Sequence, residues 1–199
     1  MKRFVGGVIV GIIATIVLGF CGVYLYLYTG AFPVGADNPP GKLERSMANM
    51  AVDQAVGSNA PKQENPTQIN SANLIEGARE YEEHCSFCHG GAKSKTSPLA
   101  HSFNPPVPQI INRVPHDDDS DLFWITKHGI RMTGMPTWDK HLTDEEIWKI
   151  IAFVKHSNAL PPDVQAAWQQ AAEGPKSGEA HVGDHDESGE QSHSSANQH

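Results

Sequence analysis

The chain has 199 residues, enough for one ordinary domain with appendages, and 39% of them are hydrophobic. Its net charge is −8, and most of that charge is C-terminal: residues 71–162 carry −3, whereas 163–199 carry −6. Such a balance argues against nucleic acid as a partner, and with three cysteines, one inside an apolar run, no disulfide framework is implied.

Lys2 and Arg3 precede an uncharged stretch, residues 4–28, which as a helix at about 1.5 Å per residue is long enough to cross a bilayer core. The basic flank is on its N-terminal side, which places residues 1–3 in the cytoplasm and everything after Tyr28 outside. Tyr24, Tyr26, Tyr28 and Phe32 fall where an outer aromatic belt is expected. A cleaved signal peptide is the competing reading, with Val34-Gly35-Ala36 as the cleavage site, but the apolar run exceeds a normal signal core. Lipidation at Cys21 is disfavoured by bulky Phe20 before it. Gly7, Gly11, Thr15 and Gly19 form a small-residue seam at a spacing of four, which lets another helix approach.

Residues 29–70 are rich in Pro, Gly, Asn, Gln and Ala and read as a flexible tether with a span of roughly 35 Å. Within it, Leu43, Met47 and Met50 outline a short amphipathic segment suited to a membrane or a partner, expected as transient order. A helix follows, with Asn73 as the expected N-cap and Leu74, Ala78, Tyr81 and Cys85 along one face.

That helix leads into Cys85-Ser86-Phe87-Cys88-His89, a C-x-x-C-H run and the attachment signature of c-type haem. Two thiols three positions apart can each add to a vinyl group of one porphyrin, with the adjacent histidine as axial ligand. A zinc site lacks the cysteines it needs, and a thioredoxin-like dithiol lacks its βαβ setting.

Residues 90–115 show no period and predict a wrapping loop. Asp117, Asp118 and Asp119 lead into a second helix through Leu122, Phe123, Ile125 and Thr126, stopped by Gly129. Gly134-Met135-Pro136 lies in a further loop. Thr143 to Glu146 is a capping box opening a third helix with Ile147, Ile150, Ile151 and Val154 as its buried stripe. Pro161 and Pro162 are expected to close the folded unit. Residues 163–199 read as a disordered acidic tail whose histidines, His181, His185, His193 and His199, are candidates for loose metal binding.

Residues 72–162 resemble a class I monohaem cytochrome c of the small, membrane-tethered bacterial kind. Besides the C-x-x-C-H run, Gly77 and Tyr81 match the Gly-x-x-x-aromatic of the family's first helix, and Ile150 and Phe153 match the pair in its last helix that crosses this glycine. The resemblance implies an all-α domain of about three main helices wrapped around one covalent haem c. Cys85 and Cys88 would hold it, and His89 and Met135 would be the axial ligands of the iron. A thioether is a soft, uncharged ligand that raises the potential, and Pro136 stiffens its loop. Met132 is the competing methionine. The resemblance also places a proline carbonyl behind the axial histidine, from among Pro105, Pro106 and Pro108, and Arg131 is a candidate partner for a haem propionate. His84, His101, His116, His128, His141 and His156 have no motif support as ligands.

The expected function is single-electron transfer between respiratory or dehydrogenase components, without catalysis and without a small-molecule substrate, on the periplasmic or extracellular side of a bacterial cytoplasmic membrane. Its partners are redox proteins in or at that membrane. A fixed subunit of a membrane oxidoreductase is the nearest alternative. Haem catalysis or gas sensing, which needs an open iron position, is the alternative of another class.

Overall fold

In the computed structural model, which describes residues 2–111 and 113–174, every regular element is helical and no strand occurs among the described residues. The elements are α1 (Lys2–Tyr28), α2 (Lys42–Asn59), α3 (Ser71–His84), α4 (Ser86–His89), α5 (Asp119–His128), α6 (Asp144–His156) and α7 (Pro162–Glu173), with a 3-10 turn at Ala100–Ser102. The all-α expectation holds. The four histidines assigned to the tail lie outside the described residues. In α1, Phe4–Tyr28 has a mean hydropathy of 2.6 and is uncovered by the rest of the chain, so it is long and apolar enough to cross a membrane.

The fold is built around α6. Its stripe of Ile147, Ile150, Ile151 and Val154 is buried as the periodicity requires, but Trp148, Ala152 and Phe153 are buried too. A helix with so wide an apolar face needs more than one neighbour, and the strip of Glu145, Lys149 and His156 is left to the surface. Here α3 and α5 flank it, with Phe123 of α5 stacked on Trp148 at 4.2 Å between ring centroids. The capping box forms as expected: Thr143 Oγ1 accepts from the Glu146 N–H, and the Glu146 carboxylate accepts from the Thr143 N–H at 2.7 Å. The Thr143 hydroxyl also donates to that carboxylate, at 2.8 Å, and these two bonds from the Thr143 N–H and hydroxyl hold the Glu146 carboxyl below the usual carboxylate range.

Helix α3 crosses α6 at Gly77. A Cβ there would lie 2.6 Å from the Lys149 carbonyl carbon and 3.2 Å from the Ile150 nitrogen, so the backbones meet where only hydrogen fits. Phe153 packs on Tyr81 one turn further along. Lys149 joins the same two helices at the surface, 2.6 Å from both Glu76 and Glu145.

Three expectations are corrected. Asn70, not Asn73, caps α3: its side chain accepts from the Asn73 N–H at 2.9 Å, and the helix begins three residues earlier. Pro161 and Pro162 do not end the fold. Proline is also a preferred first helical residue, since its φ suits the helix and its missing N–H would have gone unbonded, and Pro162 opens α7 on that basis. Val164 and Trp168, four apart, are buried against α3 and α6; the Trp168 indole N–H donates to the Glu82 carboxylate at 2.7 Å and its ring packs edge-on to Phe153. Finally, part of the expected tether is ordered. Helix α2 packs on α5 through buried Val56, and Asn65 beyond it donates to the Trp148 carbonyl at 3.0 Å.

Candidate functional site

Helices α3, α5 and α6 and the two loops between them enclose a cavity of about 740 Å³. Its wall is largely aliphatic and aromatic: Tyr81, Leu122, Ile125, Ile150, Ile151, Val154 and Trp138 contribute, with Pro105, Pro106, Val107 and Pro108 from the first loop. Cys85, Cys88, His89 and Met135, the four residues picked from sequence, all line this one cavity.

The C-x-x-C-H run is presented by a single helical turn, α4, in which the His89 N–H bonds the Cys85 carbonyl at 2.9 Å. Burial pushes the Cys85 thiol up to about 12, with the neighbouring Cys88 and Glu80 adding to it. It is therefore a neutral thiol, unlike the low-pKa thiolate of a redox dithiol. His89 Nδ1 donates to the Pro108 carbonyl at 2.8 Å, which picks one proline from the candidates and leaves Nε2 as the lone-pair side of the ring. Burial pulls the His89 pKa down and the Pro108 bond offsets part of that, a shift toward the neutral form in which imidazole ligates metals.

Residues outside the C-x-x-C-H run hold this turn in place. The Gln109 side chain donates to the carbonyls of Cys88 and Val107 at 3.1 and 3.0 Å and accepts from the Ser97 N–H, so one amide ties the thiol turn to the proline loop. Ser97 Oγ donates to the Phe87 carbonyl, and the Tyr81 hydroxyl donates to the Gly90 carbonyl at 2.7 Å. Tyr81 is also the aromatic of the Gly-x-x-x-aromatic match, whereas a lone Gln or Ser gives no sequence pattern that would single it out.

The methionine loop is fastened to the end of α5. Gly129 has φ +66°, and a Cβ there would come within 2.7 Å of the Met135 carbonyl oxygen, so its absent side chain both allows the turn and lets the loop lie close. Thr133 Oγ1 donates to the Ile130 carbonyl and accepts from the Met135 N–H at 3.1 Å. Downstream, the Trp138 N–H and Thr137 hydroxyl both donate to the Lys127 carbonyl. Phe103 of the first loop covers Gly134, so the two loops close on each other. Met132 is 90% exposed and stands away from the cavity.

Of the histidines without motif support, His84 and His116 line the cavity, while His101, His128, His141 and His156 do not. Arg131 is exposed and absent from the wall. Arg113, which sequence reasoning passed over, is the arginine that lines it.

A family model described as cytochrome c oxidase, cbb3-type, subunit III, matches residues 72–154. The match supports a c-type cytochrome. Among solved structures, a chain of the Kuenenia stuttgartiensis reducing HAO-like protein complex is similar at 22% identity and a TM-score of 0.40, over 49% of this chain and 50% of that one. The chain thus spans about half the length of that relative, and so low a likeness adds nothing to the assignment. No curated protein matches the chain.

A c-type cytochrome implies covalent haem c, and the residues present fit it. The cavity is apolar and lies within the size range of small-ligand and cofactor sites. Its few polar groups are the kinds the group needs: two thiols for thioether bonds, a neutral imidazole with its far nitrogen anchored, a thioether, and a guanidinium for carboxylates.

Proposed function

We propose that this chain is a membrane-anchored class I monohaem cytochrome c that carries single electrons between redox proteins at a bacterial cytoplasmic membrane, with its haem domain on the periplasmic or extracellular side. The observation that carries the reading is the convergence of Cys85, Cys88, His89 and Met135 on one apolar cavity, from positions up to fifty residues apart in the chain. Cys85 and Cys88 would hold one haem c covalently, and His89 and Met135 would bind its iron. When bound, the haem supplies a one-electron ferrous–ferric couple. Pro108 fixes the orientation of the imidazole through Nδ1, and the bonds of Thr133 and Thr137 hold the methionine loop in position. Arg113 provides the positive charge for the haem carboxylates. With His89 and Met135 both serving the iron, no position would be left there for a substrate.

Two observations favour a fixed subunit of a membrane oxidoreductase as a second reading: the family model is that of an oxidase subunit, and the segment before the domain is docked on it at α2 and Asn65 rather than free.

The test is the absorption spectrum of the full chain, produced with haem-attachment machinery, beside Met135→Ala. The expected wild type is covalent low-spin haem with the weak far-red band of sulfur ligation, and the variant loses that band. A high-spin wild type unchanged by the substitution would instead establish an open iron site and small-ligand chemistry.

A further inference from the structure

Helix α2 has two apolar faces. Val52, Ala55 and Val56 turn toward the haem domain, where Val56 is 6% exposed. Leu43, Met47 and Met50, at steps of four and three, share a different face, and there the exposure is 73%, 61% and 61%. On a helix at 100° per residue the two sets lie on opposite sides. We propose that the Leu43, Met47 and Met50 face lies in the headgroup region of the lipid bilayer, so that α2 is an interfacial helix with the bilayer on one side and the haem domain on the other. This rests on the reading of α1 as a membrane anchor.

The length of chain selects lipid as the occupant. Asn104, in the proline-bearing loop, donates its side-chain N–H to the Asn38 carbonyl at 2.7 Å, so the segment is tied to the domain four residues before α2 begins. Only residues 29–37 remain free between α1 and that tie. Nine residues span about 30 Å when extended and about 17 Å as coil. The exposed face is therefore confined to the neighbourhood of the surface from which α1 emerges, where tethering raises its effective concentration to about the millimolar range. A stripe of three side chains then suffices, and unbranched methionine suits an irregular acyl boundary. Lys42 and Arg45 are balanced by Glu44 and Asp53, so the attraction is apolar rather than electrostatic and persists at high salt.

The experiment is spin-label accessibility of the full haem-loaded chain in phosphatidylcholine nanodiscs. Labels are placed through Ile16→Cys, Met47→Cys and Asp53→Cys in a Cys21→Ser background, the haem spectrum of each variant verifying its fold. Oxygen should relax the labels at 16 and 47 several-fold more than a water-soluble nickel chelate does, and the order should reverse at 53, in low and in high salt. If the label at 16 is in lipid while that at 47 behaves like that at 53, the proposal is overturned and the anchor stands. A label at 16 exposed to water overturns the anchor reading as well. A label at 47 shielded from both reagents also overturns the proposal, because protein then covers the face, either a second copy or a redox partner.

Discussion

Trp168 offers the sharpest test of how far the haem domain extends. It is 2% exposed, packs edge-on to Phe153 at 5.2 Å and donates to Glu82, whose carboxylate also accepts from the Ala92 N–H just beyond the thiol turn. Trp168→Ala leaves a cavity between α3, α6 and α7, a class of change that costs about 3–5 kcal/mol. Trp168→Phe keeps an aromatic ring against Phe153 but removes a hydrogen bond to a charged group, worth about 1.5–3 kcal/mol. In a domain of about 100 residues, 1 kcal/mol moves Tm by roughly 4–8 °C. The expected order is therefore a drop of about 15 °C or more for Trp168→Ala and about half that for Trp168→Phe. Thermal melting of the haem-loaded full chain, followed by circular dichroism, measures both. A Trp168→Ala protein melting within about 3 °C of wild type would refute the inclusion of α7 in the cooperative unit.

Other outcomes follow from the same contacts. Gly77→Ala forces the α3 and α6 backbones apart and should lower stability by about 1–3 kcal/mol or more in the same melting experiment; an unchanged Tm would mean the crossing is loose. Gly129→Ala places a side chain in a left-handed conformation against the methionine loop, and should weaken the far-red sulfur band at a lower temperature than wild type while the covalent attachment survives, as read by spectra during heating. Gln109→Ala strands the Cys88 carbonyl and should cost about 1–3 kcal/mol, with the clearest loss of amide-exchange protection in residues 85–90. Thr143→Ala removes one cap of α6 and should cost about 1 kcal/mol near neutrality. The Glu146 carboxyl is held below its ordinary 4.5, so its contribution is present above that value and is lost as pH falls through the lowered one. The gap between wild type and Thr143→Ala should accordingly narrow in acid, and a gap that widens would contradict the role given to Glu146.

The parts of the fold legible in sequence were those with a local signal. The thiol run, the capping box at Thr143, the stripe of α6 and the glycine stop at Gly129 each depend on residues within a few positions of one another, and each stands where it was expected. The parts missed depend on distant partners. Asn70 and Asn73 are equally good caps by type, and only the chain path chooses between them. Two prolines in a row signal a stop as readily as a start, and what decides for a start is that Val164 and Trp168 find α3. At the site, the four residues chosen from sequence do line one cavity, but Gln109, Thr133 and Arg113 hold or face it through loop geometry that no periodicity encodes. The ordering of α2 likewise comes from its seat on α5 rather than from its own composition.

The burial of most of the circumference of α6 bears on which changes of length the gene can tolerate. Ile150, Ile151 and Val154 form part of the cavity wall, while Ala152 and Phe153, interleaved with them, seat α7 and its tryptophan. One added or deleted residue early in this helix would rotate everything after it by about 100° and spoil both surfaces at once, with no nearby position able to restore either. An insertion in residues 29–37 would alter only reach. Indels that survive among descendants of this gene should therefore collect in that leader and leave the thirteen residues of α6 at constant length.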